Sequence, residues 1–355
     1  MSENFSCYCR IRNSDCDTNG NNLSARWDRS HLWDYGALLM VGMGTNLDSG
    51  RVLTFDVGGS HVSAAVCLKE DYRLGPVVHG QYDSIETTDG FIDLLCRLGR
   101  EAVTGHANGM GATLAFPGPF NLQAGISLMR HKLSYLYGVD LRKALAERLG
   151  CAPDRVRFLN DADAYLLGEI GAGAARGFAR VIGLTLGTGV GSAFAVNGKL
   201  VAEGPGVPPG GEIWNVPYHG GIVEDFVSAR AIAGHYERST GSRCSVASLA
   251  SAAGHDRQAA EAFAEFGRHL GCVLSALVAD FHADLVVLGG GIARSPNLFL
   301  QSTRGELPNG ASELRISELM DRAPLVGCGV AWFDRAGSSS DGGRTAAALD
   351  GAIQA

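Results

Sequence analysis

The chain lacks an uninterrupted apolar run of the ~20 residues that a membrane-spanning helix requires. Its longest N-terminal candidate, Tyr35 to Met43, is far too short. No basic stretch precedes that segment and no small-residue cleavage site follows in register, which argues against a secretory leader. A surplus of positive charge is also missing. Thirty Lys and Arg stand against 37 Asp and Glu, a net charge of −7, and a general nucleic-acid binder needs a basic face to neutralise phosphates. The nine cysteines at 7, 9, 16, 67, 96, 151, 244, 272 and 328 are odd in number and form no disulfide framework. Cys7, Cys9 and Cys16 do not match zinc-pair spacing. The others sit singly in apolar segments, as reduced thiols do in a cytoplasmic protein.

Glycine is abundant instead: 49 residues, many clustered inside apolar segments. Such placement predicts tight backbone turns near ligands rather than disorder. Residues 1–50 differ in texture. They are polar, without helical or strand period before Trp33, and read as a disordered tail or as an extension ahead of a natural start at Met40 or Met43. From Arg51 the pattern sharpens. Val52 to Val57 is a buried strand, and Val62 to Leu68 its hairpin partner. Phe91, Leu94, Leu95, Leu98 and Ala102 recur at helical spacing. Gly111 to Phe116 is a strand, Leu141 to Leu149 a helix, and Val156 to Leu159 a strand running into Asn160-Asp161. The unit then restarts: strand 181–186, turn 187–191, strand 192–196. Such an echo predicts two related lobes. A long helix through Phe263 to Leu277 and a strand 284–288 follow, and strands alternating with helices indicate an α/β fold. A last short helix is expected over Arg344 to Ile353.

Three glycine turns each end a buried strand: Gly58-Gly59-Ser60 after Asp56, Gly187-Thr188-Gly189-Val190-Gly191, and Gly289-Gly290-Gly291. A phosphate chain needs backbone N–H groups that no Cβ shields. None of the three is a P-loop, since no Lys-Ser/Thr follows, and none is a dinucleotide fingerprint opening a helix. A nucleotide is therefore expected in a hinge between lobes. Asp56 suits an Mg²⁺–nucleotide complex, held through water, though Asp at a strand end is also an ordinary turn residue. Asn160 or Asp161 equally suits an N-cap for the helical segment that follows. Beside phosphate loops, however, a carboxylate at a strand end can take the proton from an attacking hydroxyl.

Asp56-Val57-Gly58-Gly59-Ser60, Phe116-Pro117-Gly118-Pro119, Leu159-Asn160-Asp161-Ala162-Asp163-Ala164 with Gly168-Glu169, Leu186 to Gly191, and Val287 to Gly291 resemble, in order and spacing, the motifs of the ROK family of sugar kinases and repressors. The resemblance runs from Arg51 to the C-terminus. It implies a two-lobed actin-like ATPase (ribonuclease H-like) fold with an interlobe cleft. The smaller lobe is expected over 51–164 plus 344–355 and the larger over 165–336. It further implies Asp161 as catalytic base, Asn160 on sugar hydroxyls, and the sugar lying against Pro117 and Gly118. Gly58, Gly59, Ser60, Gly187, Thr188, Gly189 and Gly191 would contact phosphates, and Gly289, Gly290 and Gly291 the adenosine of ATP.

The family's Glu-x-Gly-His signature is altered here to Glu212-Ile213-Trp214-Asn215, and Ile222 to Ser228 resembles the helix start that supplies a second sugar-binding glutamate, Glu224. The cysteine-rich zinc motif between them is replaced by Pro217 to Gly221. With Asn215 in the zinc histidine's place no structural zinc is expected, as in the zinc-free hexokinase branch. Asn215 keeps a donor for a sugar hydroxyl. His61, His131 and His219 lie near these motifs without an assigned role. The expected activity is transfer of the γ-phosphoryl group of Mg·ATP to the primary hydroxyl of a glucose-like hexose, by a cytoplasmic homodimer with no nucleic-acid or membrane partner. The rival readings are a sugar-sensing regulator without kinase activity, a repressor, for which residues 1–50 show no basic helices, and a kinase using polyphosphate.

Overall fold

The computed structural model describes residues 50–103, 110–130, 132–308, 310 and 312–334. The expectations for residues 1–49, His131 and the helix at 344–353 lie outside them. Strands β1 (Arg51–Val57), β2 (His61–Leu68), β3 (Val78–Gln81) and β4 (Ala112–Phe116) are followed by a small hairpin, β5 (Phe120–Asn121) with β6 (Ile126–Ser127), and then by β7 (Val156–Asn160). They form a sheet in the order β3-β2-β1-β4-β7, the hairpin apart, with β1, β4 and β7 parallel. A second set comprises β8 (Arg180–Leu186), β9 (Val190–Val196) and β10 (Lys199–Val201), a two-stranded ribbon β11 (Pro217–Tyr218) and β12 (Gly221–Ile222), then β13 (Leu285–Gly289) and β14 (Glu313–Ile316). Its sheet runs β10-β9-β8-β13-β14.

The two sheets have the same plan: an antiparallel three-stranded meander whose first strand continues into two parallel strands. β1 and β8 even share one alternation of burial, with the sixth residue of each, Asp56 and Thr185, half-buried between buried neighbours. The internal echo in the sequence is thus a structural duplication. One detail differs from expectation. β9 begins at Val190, and Gly191 pairs with Thr185 inside the ladder, so the open turn is only Gly187 to Gly189.

Helices cover these sheets for legible reasons. In Thr88–Ala102, capped by the Thr87 hydroxyl on Gly90 N at 3.2 Å, the stripe Phe91, Leu94, Leu95 and Leu98 is buried in the first core. Arg257–Phe281, capped by Asp256 on Gln258 N and Ala259 N, buries Phe263, Phe266, Leu270 and Leu274 in the second. By length and composition this helix could span a bilayer, contrary to the expectation that no segment could. Its apolar face is instead packed in the core, and its other face carries Glu261 and Arg268, 2.6 Å apart.

The helix Asp161–Ala172 carries the chain from the first sheet to the second, and Ala323–Phe333 crosses it. The crossing is close enough to demand glycine. A Cβ on Gly327 would stand 1.7 Å from Ala164 O, and one on Gly168 2.0 Å from Ala323 O. Beneath the crossing lies Glu169, fully buried. Its carboxylate accepts from Ala174 N at 2.8 Å, Leu319 N at 3.1 Å, Glu318 N at 3.3 Å and the Ser317 hydroxyl. A buried charge is tolerable when its lone pairs are filled in this way.

Candidate active site

The parallel strands of the first sheet end together, and open α/β sheets place ligands at the carboxyl ends of such strands. Asp56 pairs with Ala115 in register, and Phe116 with Asn160. Pro117 and Gly118 therefore leave the sheet beside Asn160 and Asp161, with Gly118 exposed. The Asn160 side chain caps the following helix, accepting from Ala162 N at 3.0 Å and Asp163 N at 3.3 Å. That spends its oxygen on the backbone and leaves the amide NH₂ as a donor. The Asp161 carboxylate accepts from Ala162 N at 2.9 Å, so one oxygen is fixed by the helix start, where the dipole favours a negative charge.

Asp56 is held with its pKa pushed up to about 7, first by desolvation, then by the charges of Asp161 and Asp321. Three carboxylates therefore share one electrostatic neighbourhood. Asp321 was not anticipated. It lies after the second sheet, in the turn ahead of the Ala323–Phe333 helix, and is ion-paired to Arg294, just past the third glycine loop. Among the described residues no three acidic, histidine or cysteine groups converge tightly enough to grip a bare metal ion. The negative potential of Asp161 and Asp321 that raises Asp56 is one that a hydrated Mg²⁺, which keeps most of its waters, would relieve.

The second glycine loop joins this neighbourhood. A Cβ on Gly191 would lie 3.3 Å from Ala162 Cβ, one residue from Asp161. Gly290 has φ +83°, and a Cβ there would stand 2.4 Å from Leu186 O, so the third loop rests on the strand leading into the second. Gly59, Gly187 and Gly291 present their Cα to open space, as a loop cradling a ligand requires. The structure thus brings the second and third loops together, and the first joins them through Asp56.

Glu224, which the resemblance makes a sugar ligand, is half-buried against the second loop: Oε2 accepts from Val190 N at 3.2 Å and Oε1 from the Arg230 guanidinium at 2.7 Å. Ala229 N donates to Gly187 O at 2.8 Å, so the start of the Ala229–Thr240 helix also sits on this loop. Glu212 is placed by its neighbours. Ser192 Oγ donates to Gly211 O at 2.7 Å and accepts from Ile213 N at 3.1 Å, and the Trp214 indole donates to Glu212 Oε2 at 2.9 Å. Glu224 N donates to Trp214 O at 3.0 Å. Trp214 and Asn215 are both exposed. One hydrogen-bonded chain therefore connects Glu212, Trp214, Glu224 and the glycine loop. His219 belongs to a different feature, a cavity of about 650 Å³ shared with Phe226, His235 and His269.

Comparison with known proteins agrees with this plan. The sequence model of the ROK family matches residues 52–328. The glucokinase of Thermotoga maritima is 26% identical over 321 residues, covering 81% of this chain and 98% of that protein. The N-acetyl-D-glucosamine kinase of Pectobacterium carotovorum is 27% identical over 274 residues, 69% of this chain and 85% of the other. A ROK family glucokinase from Streptomyces griseus, solved in complex with glucose and AMPPNP, superposes with a TM-score of 0.64 at 23% identity, over 79% of this chain and 98% of that one. The architecture is the two-lobed actin-like α/β fold.

Proposed function

The chain belongs to the ROK family, and from that premise we propose that it is an ATP-dependent sugar kinase acting on the primary hydroxyl of a hexose. The observation that supports this most is that Asp56 and Asp161, at the ends of the two parallel strands that flank β4, share one electrostatic neighbourhood beside a glycine loop on which Glu224 rests. Sugar lies against Pro117 and Gly118, with hydroxyls on Asn160, Glu212, Asn215 and Glu224. Asp161, oriented by Ala162 N, takes the hydroxyl proton. As the sugar oxygen forms its bond to the γ-phosphorus, the bond from phosphorus to the bridging oxygen breaks and ADP leaves with the electron pair. Gly58 N and Gly187 N donate to His61 O and Gly189 O, and Val190 N to Glu224, so the backbone N–H groups of Gly59, Ser60, Thr188 and Gly189 hold the phosphates, and Gly289 to Gly291 the adenosine. Asp56 would hold Mg²⁺ through water, and the ion would neutralise part of the triphosphate charge. Approach of the lobes keeps water from the γ-phosphoryl group.

The sugar itself is proposed as glucose-like, with N-acetylhexosamines as the competitors that the two curated relatives raise. ADP release measured over glucose, mannose, fructose, N-acetylglucosamine and N-acetylmannosamine tests the reading. Sugar-dependent turnover with one of these at least ~100-fold above water supports it. ADP release that no sugar accelerates overturns it, in favour of a sugar-sensing regulator.

A further inference from the structure

The three glycine loops contain no lysine or arginine. Backbone N–H groups and one metal ion are a thin supply of positive charge for a triphosphate that must shed a phosphoryl group, and such transition states gain strongly from a guanidinium. Two arginines stand close to the loops, and both are held on carboxylates. Arg294 is on Asp321, which has no part in sugar binding in the proposal above. Arg230 is on Glu224, which does. The Arg230 guanidinium is one carboxylate's width from Val190 N–H, since Glu224 grips that N–H with its other oxygen. Arg230 also stands next to Ala229, whose N–H is bonded to Gly187 O. Its side chain is largely exposed, so it can change partner without breaking packing.

Building on the kinase reading, we infer that Arg230 is a two-position catalytic residue that couples the nucleotide to the sugar. Without nucleotide it neutralises Glu224 and occupies the oxygen that a sugar hydroxyl needs. When Mg·ATP occupies the glycine loop, the guanidinium turns to the phosphate chain, a stronger and bidentate acceptor. Glu224 is then released to accept from the sugar. Arg230 contributes only charge and hydrogen bonds. Nucleotide binding thereby tightens sugar binding, and by reciprocity sugar tightens nucleotide binding.

The test measures glucose binding, or that of whichever panel sugar turns over fastest, by calorimetry with and without Mg·AMPPNP, alongside steady-state kinetics. In wild type, Mg·AMPPNP tightens sugar binding about 10-fold, a coupling within the usual allosteric range. In Arg230→Ala, sugar binding without nucleotide already matches the tightened wild-type value, the coupling vanishes, and kcat falls at least ~100-fold. Arg230→Lys keeps the charge without the fork and recovers part of kcat. An exposed ion pair contributes little to stability, so thermal melting of Arg230→Ala stays near wild type. An Arg230→Ala protein with unchanged coupling and kcat within ~3-fold of a working wild type overturns the inference alone. A wild type that turns over no sugar overturns the kinase reading with it.

Discussion

β1–β2 and β8–β9 are the same hairpin built twice, with one burial pattern in their first strands and one glycine turn each, yet only the first carries an acid at the sixth strand position. There Asp56 meets Asp161 and Asp321 and is driven toward neutrality. In the second copy Thr185 pairs with Gly191 and Gly289, and its hydroxyl would lie 2.4 Å from a Cβ on Gly191. A duplicated scaffold thus carries unlike side chains: a carboxylate at the sixth position on one side, to which the proposed function gives the metal, and a neutral hydroxyl on the other. Position in the fold is shared, and the side chain decides the role.

That asymmetry is breakable by matched substitutions. Asp56→Asn is expected to lower kcat/KM for Mg·ATP by at least ~100-fold, whereas Thr185→Val costs less than ~5-fold. Equal losses in the two variants would erase the distinction between the hairpins. The crossing that joins the halves is tested by Gly327→Ala, whose Cβ would collide with the Ala164 carbonyl. Destabilisation of about 3 kcal/mol is expected from such overpacking, read by urea unfolding. Gly187→Ala is the mildest, because its Cβ meets nothing within 4 Å. The protein should melt as wild type does while KM for ATP rises ~5- to 10-fold, a pattern that a merely structural glycine would not show.

Much of this was legible in the sequence because it is local. Strand–turn–strand units, the helix stripe at Phe91 to Leu98 and the strand ending in Asn160-Asp161 depend on neighbours within a few residues. The hydrogen-bonding use of Asn160 was foreseen only as one of two open readings, and the structure shows the cap while leaving its NH₂ for a ligand. What escaped depends on contacts across the chain. Glu169 finds Ser317, Glu318 and Leu319 about 150 residues away. Asp321 reaches Asp56 only once the last described helix has crossed the Asp161–Ala172 helix. Arg230 and Trp214 engage the two glutamates that the resemblance assigns to the sugar, and nothing in spacing signals an occupied carboxylate. The length of Arg257–Phe281 was likewise hidden by charges on its outer face that interrupt its apolar run.

The central claim is that one carboxylate at the end of β7 takes the proton of the attacking sugar alcohol. Asp161→Asn preserves the shape of the helix cap and removes the base. Sugar affinity should stay within ~3-fold of wild type by calorimetry while kcat falls at least ~1,000-fold, in the range general-base removal commands. A variant that keeps more than about a tenth of wild-type turnover would contradict the account.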